Sequence, residues 1–255
     1  MTLRSWHRVA VAAAFGVAVG GWLVSRWSRR QAEFETQMAK ATRRPMWGLA
    51  GQFQKRILSG PCQLREEMDC LLETVPLLQD SFRNKRLNRL FAEKIMIAVS
   101  GVNGCRYCCF AHARIALANG MSGDQVAQLI DGDLGELGPE EALAVAFAMH
   151  FAETGGDYEP ASFSRVQAAL GSQTAEDVLV LTRVMVLANL VGNTFDAFVS
   201  RVRGTPAAGS SVADEIGVLL LLVVSVIPYG LALAVQASLV KTTDSRRSGV
   251  LVLEP

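Results

Sequence analysis

Residues 93–130, "EKIMIAVSGVNGCRYCCFAHARIALANGMSGDQVAQLI", decide how this chain folds. Upstream, "NKRLNRLFAEKIMIAV" places Leu87, Leu90, Phe91, Ile95 and Ala98 at steps of three and four, the spacing of one apolar helical face. "SGVNG", Ser100 to Gly104, breaks that helix. A second helix begins near Cys105 and runs to an Asn119-Gly120 stop, and a third follows with Ser122 as its N-cap.

Working outward, the same period recurs. "LREEMDCLLETVPLLQ" carries Leu64, Met68, Leu71, Leu72 and Val75 along one stripe. "GPEEALAVAFAMHFAET" puts Pro139 in a first helical turn, with Glu140 and Glu141 at the positive end of the helix dipole. "GGDYEP", residues 155–160, reads as a turn, and Thr174 to Val202 as one long helix. No segment alternates with period two, so the expected fold class is all-α.

Two apolar runs flank this body. Residues 9–24 hold no charge, with Arg4 and Arg8 before them and Arg26, Arg29 and Arg30 after. With Trp6 and Trp27 at the two interfaces, this run could cross ~30 Å of hydrocarbon. It is expected to be an anchor within residues 1–30; a cleaved signal peptide is the rival, although no small-x-small site follows Val24. Residues 216–240 form a longer uncharged run between Asp214-Glu215 and Lys241, expected to span the membrane even with a kink at Pro228. The basic cluster after the first run places the segment between the two on the cytoplasmic side. The remaining divisions are a connector at 31–63, a helical domain at 64–203, a linker at 204–215 and a tail at 241–255.

Net charge is +1, and no basic stripe interleaved with aromatics is present, so nucleic acid is not an expected partner. The five cysteines, Cys62, Cys70, Cys105, Cys108 and Cys109, are odd in number and unevenly spaced, unlike a secreted disulfide framework. Three of them lie in "GCRYCCFAH", residues 104–112. Haem attachment needs histidine directly after the second cysteine of C-x-x-C, and Cys109 stands there instead. A zinc site needs about four convergent ligands. On a helix Cys105 and His112 are ~10 Å apart along the axis, which leaves at most three, and no metal or cofactor is assigned.

A redox dithiol fits this pattern better. A thiol at a helix start lies near unpaired N–H groups and the positive dipole end, which favours its thiolate, and the second thiol follows one turn on. Cys108 and His112, four apart, are neighbours on one face, so the imidazole can exchange a proton with the thiol. Cys109 reads as a buried small hydrophobe. His150 reads as a core or interface histidine. Asn189 and Asn193, four apart on an otherwise apolar helix, could serve a subunit interface or line the site.

With Glu93 included, the spacing is E-x11-C-x2-C-x3-H, which resembles the signature of the alkylhydroperoxidase D branch of the carboxymuconolactone decarboxylase-like superfamily. "EEALAVAFA" and "VLANLVGNTFDAF" resemble later helices of that family, and the similarity covers residues 64–203. The resemblance implies an alkylhydroperoxidase D-like helical domain that assembles as a homo-oligomer, a trimer favoured. It also implies reduction of organic hydroperoxides through the cysteine pair, reset by an external dithiol reductant. By the same resemblance Cys108, His112 and Glu93 form a proton relay, and Cys105 is the more exposed partner that exchanges with the reductant. Decarboxylases of the superfamily lack this dithiol. Some members carry histidine where this chain has Tyr107, and the flanking membrane helices are not part of the usual pattern. Those helices make lipid hydroperoxides a natural substrate. The alternative from another class is a non-enzymatic dithiol redox sensor or oligomerisation module at the membrane.

Overall fold

The computed structural model describes residues 25–38, 40–42 and 55–225. The described residues form helices and no strand: α1 (25–38), α2 (Pro61–Asn84), α3 (Arg89–Asn103), α4 (Arg106–Ala118), α5 (Gly123–Asp131), α6 (Pro139–Thr154), α7 (Pro160–Leu170), α8 (Ser172–Val202) and α9 (212–225). The all-α expectation therefore holds, and local chemistry explains the helix boundaries. Asn88 caps α3 by accepting from the Phe91 amide at 2.8 Å. Ser122 and Gln125 form a reciprocal capping box on α5, satisfying two amides that the first turn leaves unpaired. Pro139 sits at the start of α6 with Glu140 and Glu141 behind it, as the sequence pattern requires. Helix α7 was not foreseen: residues 160–170 lack a strong apolar stripe, and only Val166 is fully buried.

Helix α3 is the hub, packing against α4, α5, α6 and α8. Ile95, Ile97, Ala98 and Val99 are wholly buried, meeting Val126 and Leu129 of α5, Ala144, Val145 and Ala148 of α6, and Leu190 of α8 within one core. Phe147, Phe151, Tyr158 and Phe163 join α6 to α7, with neighbouring ring centroids 5.3–6.4 Å apart. Ion pairs close the periphery: Arg86 makes a two-point contact with buried Asp177, and Arg201 makes another with buried Glu215. The latter ties the end of α8 to the start of α9.

Packing reaches beyond residues 64–203. Phe34 and Met38 of α1, Leu58 before α2, and Val218 of α9 all enter the same core. The Leu58 amide donates to the Thr194 hydroxyl at 3.0 Å, and the Arg56 guanidinium donates to the Ala152 carbonyl.

Among the described residues one helix, Ser172–Val202, is long and apolar enough to cross a membrane. It was not one of the two runs expected to do so. Most of its apolar window is buried, and its buried residues include Asp177, Asn189, Asn193 and Asp196, so it serves here as a core helix. The run at 9–24 lies outside the described residues. The run at 216–240 is described only to Ser225, where α9 buries Val218 and exposes Ile216, Leu220, Val223 and Val224.

Candidate active site

The site grows from the turn between α3 and α4. Gly104 adopts a left-handed conformation, φ 64° and ψ 28°, that a side chain would disfavour. Its amide returns to the Gly101 carbonyl and that of Cys105 to the Ser100 carbonyl, closing α3 with a Schellman-type stop. The chain thereby turns directly into α4, with Cys105 as the N-cap residue and Cys108 one turn on. Two asparagines of α8 hold this turn in place. Asn189 takes the Ser100 hydroxyl at 3.2 Å and donates to the Val99 carbonyl at 3.3 Å; Asn193 donates to the carbonyls of Asn103 (2.8 Å) and Arg56 (3.0 Å). Both fasten α8 to the end of α3 within one chain.

The Cys105 and Cys108 sulfurs are 2.7 Å apart, close enough for disulfide formation after a small movement. Their environments differ. Cys105 is completely buried and Cys108 half-buried, the reverse of the exposure order that the family resemblance implies. The physical reason is the approach of α8. At Gly192 an added Cβ would lie 2.8 Å from the Cys105 sulfur and 3.8 Å from that of Cys108, so the glycine lets the α8 backbone lie over the first thiol.

Hydrogen bonding with Cys108 pulls the Cys105 thiol below its ordinary value; burial opposes this, and the charge of Lys55 assists it. Cys108 is pushed well up by that same hydrogen bond, by burial and by the neighbouring sulfurs. Within the pair, this hydrogen bond favours ionisation at Cys105 ahead of Cys108. Cys109 is buried at 1% exposure and pushed up chiefly by desolvation, consistent with a packing role.

One turn along α4, His112 Nδ1 lies 2.9 Å from Glu93 Oε2. Glu93, on α3, is buried at 5% exposure, and His112 is half-buried. Spacing alone thus brings the carboxylate and the imidazole together across the α3–α4 hairpin. Among the described residues no hydrogen bond joins His112 to Cys108; the four side chains form two pairs, Glu93–His112 across the two helices and Cys105–Cys108 at the start of α4.

The other side of the dithiol comprises residues that sequence reasoning missed. Asp196 of α8 accepts from Lys55 Nζ at 2.5 Å and from the Tyr107 hydroxyl at 3.1 Å, and lies 3.6 Å from Arg106 Nη1. Arg106 also makes a two-point pair with Glu35 of α1 at 2.8 and 2.5 Å. Trp27 of α1 stacks on Tyr107, with centroids 5.8 Å apart, and meets Phe110 edge-on at 5.7 Å. Burial and the Asp196 charge push the Tyr107 hydroxyl up, so it stays protonated and donates. The two residues between the cysteines are therefore clamped by α1 and α8 together. Only Arg106, a cation between two thiols, carried a local hint of this; the partners at 35, 55 and 196 are too distant in sequence to signal it.

His150, expected in a core or interface, is exposed on α6 in the single chain and far from these residues in the helix order. Two cavities, of about 450 Å³ beside Asp124, Gln128 and Asp131 and about 300 Å³ beside Cys70, Leu71 and Arg183, include neither site cysteine in their linings. Among the described residues no cluster of histidine, cysteine or carboxylate side chains has the arrangement of a metal site.

The model of the carboxymuconolactone decarboxylase family matches residues 74–150, a segment that runs from within α2 through α3, α4 and α5 into α6 and holds Glu93, Cys105, Cys108 and His112. No curated protein and no solved structure matches the chain.

Proposed function

From the match of residues 74–150 to the model of the carboxymuconolactone decarboxylase family, itself part of the alkylhydroperoxidase D-like superfamily, we propose that this protein is a membrane-anchored, thiol-dependent peroxidase that reduces organic hydroperoxides. The family includes oxidoreductase-like members, which supports an enzyme of redox type. The single observation that carries the finer reading is the pair of thiols 2.7 Å apart at the N-terminus of α4, with the Glu93–His112 pair one turn away.

The exposure of the two sulfurs gives each a role. Cys108 meets the hydroperoxide, because it is the sulfur with an open side. Its proton passes to Cys105, to which it is hydrogen-bonded, or to His112 held by Glu93. The Cys108 thiolate attacks the O–O bond, forming a sulfenic acid and releasing an alkoxide that takes the same proton from Cys105 or His112 and leaves as the alcohol. Cys105, as the thiolate once its own proton has passed to His112 or solvent, then attacks the Cys108 sulfur, closing the disulfide and expelling hydroxide, which takes up that second proton and leaves as water. An external dithiol resets the pair by attacking the accessible Cys108 sulfur and expelling Cys105, whose stabilised thiolate is the better leaving group. The balance is dithiol plus ROOH to disulfide plus ROH plus water, with reducing equivalents from the external dithiol.

Membrane anchoring belongs to the same proposal. The apolar run at 216–240 supports it, since α9 already turns Leu220, Val223 and Val224 outward. The basic cluster after residue 24 favours a cytoplasmic catalytic domain. A tethered domain makes lipid hydroperoxides the favoured substrate class, and a homo-oligomer, a trimer first, is the expected assembly.

The test is a peroxide-reduction assay on the full-length chain with a range of dithiol donors. Wild type is expected to consume alkyl and lipid hydroperoxides, with lipid hydroperoxides preferred, whereas Cys105→Ser and Cys108→Ser lose turnover while retaining their helical content. Turnover unchanged in Cys108→Ser, or none in wild type with any donor, defeats the peroxidase reading. Equal turnover of small and lipid hydroperoxides defeats the lipid assignment.

A further inference from the structure

Around the Arg106–Tyr107 step between the two cysteines lies a second set of charges that the reaction above does not use. Lys55 and Asp196 are paired at 2.5 Å with side-chain exposures of only 5% and 9%. They come from the segment before α2 and from α8, and they meet at the Arg106–Tyr107 turn between the two cysteines. Two long-range contacts fix the turn there: Tyr107 donates to Asp196, and Asn193, three residues before Asp196, binds the carbonyl of Arg56 next to Lys55. One turn back along α8 from Asp196, Gly192 admits the Cys105 sulfur.

We propose that Lys55 and Asp196 are positioning residues of the dithiol, a buried ion pair that anchors the Arg106–Tyr107 turn on α8 and keeps Cys105 beside a fixed cation. This rests on the reading of Cys105–Cys108 as the reactive pair. The lysine contributes to holding the Cys105 thiol down and also acts to lower Cys109. In a buried setting such a charge is screened little, so it persists as a bias on the thiolate. The groups that surround this dithiol are Cys108, Cys109, Arg106 and Tyr107 from α4, Asp196 from α8 and Lys55 from the preceding segment. Glu35 of α1 acts on Arg106, and Arg203 acts on Tyr107. Lys55 and Asp196 are of opposite sign and share one hydrogen bond, so removing either breaks the same contact while changing the field at Cys105 in opposite directions. A merely structural pair would not separate them.

The experiment follows ultraviolet thiolate absorbance against pH in the reduced full-length chain, the Cys105 midpoint being assigned by difference from Cys105→Ser. Lys55→Met is expected to raise the pH midpoint by up to about one unit and Asp196→Asn to lower it, with Lys55→Arg close to wild type. A Lys55→Met midpoint that does not rise, or an Asp196→Asn midpoint that does not fall, overturns the proposal. Should Lys55→Met fail to fold, Lys55→Gln, which keeps a donor for Asp196, carries the same expectation. No hydroperoxide enters this measurement. Opposed shifts in a chain that turns over no hydroperoxide sink the peroxidase reading and uphold the ion pair; turnover with unmoved midpoints does the reverse.

Discussion

The two sides of the dithiol are built by different means. On one side Glu93 and His112 meet across a hairpin of adjacent helices, nineteen residues apart, and their contact follows from helix period plus one tight turn. On the other side Lys55, Gly192 and Asp196, from positions separated by up to 141 residues, meet around Cys105 and the Arg106–Tyr107 step. In the proposed reaction the first side supplies a proton acceptor near the accessible sulfur; the second covers the buried sulfur and biases its charge. The difference teaches that a spacing motif brings a carboxylate and an imidazole together locally, whereas the environment that distinguishes two chemically identical thiols depends on the whole fold.

If that contrast is sound, substitutions on the two sides should fail in different ways. The largest effect is expected from His112→Gln. Loss of a general acid–base group lowers turnover by about 10²- to 10⁴-fold, while urea unfolding changes little because the glutamine amide can still donate to buried Glu93. Turnover near wild type would remove His112 from the chemistry and break the division. Stopped-flow consumption of a hydroperoxide under saturating reductant is the measurement.

On the other side, Gly192→Ala tests the close approach. Its Cβ would sit 2.8 Å from the Cys105 sulfur, and neither the α8 backbone nor the capping residue of α4 can retreat cheaply. The variant should lose about 1–3 kcal/mol of stability, the usual magnitude for overpacking, with disulfide formation slowed as well. Here stability and chemistry fail together, unlike at His112. A stability within ~0.3 kcal/mol of wild type would show that the helices slide apart freely.

The contrast also explains what the sequence could reveal. The helices α3 to α6 were legible because amphipathic period, an N-capping serine, a first-turn proline and Asn-Gly or Gly stops are local signals, and Glu93 became a candidate through its spacing to the cysteines. The exposed role of Cys105 came from the family resemblance alone, and nothing within its own helix announces Gly192 to correct it. Asn189 and Asn193 stood out as polar residues on an apolar helix, but their targets, main-chain carbonyls at 99, 103 and 56, carry no side-chain signature. Helix α1 was read as anchor and connector because its packing residues, Trp27, Phe34 and Met38, are spread among charges. Only α4 supplies the aromatic surface of Tyr107 and Phe110 that gives those residues a partner.

The smallest effect separates the clamp from the charge. Tyr107→Phe removes the hydroxyl that donates to Asp196 at 3.1 Å but retains the ring that stacks on Trp27 and tilts against Phe195. Asp196 keeps Lys55 as a partner, so no buried carboxylate is stranded, and the cost should be that of one net hydrogen bond, about 1 kcal/mol by urea unfolding. The Cys105 thiolate midpoint should stay near that of wild type, because the hydroxyl is neutral and Lys55 is still in place. If the midpoint instead moves as far as in Lys55→Met, the turn rather than the cation governs the thiolate, and the two sides of the site differ in geometry alone. Combining Tyr107→Phe with Asp196→Asn in a double-mutant cycle sharpens the distinction. A coupling close to the single-variant loss assigns the stability to that one contact, while the opposed pH shifts remain with Lys55 and Asp196.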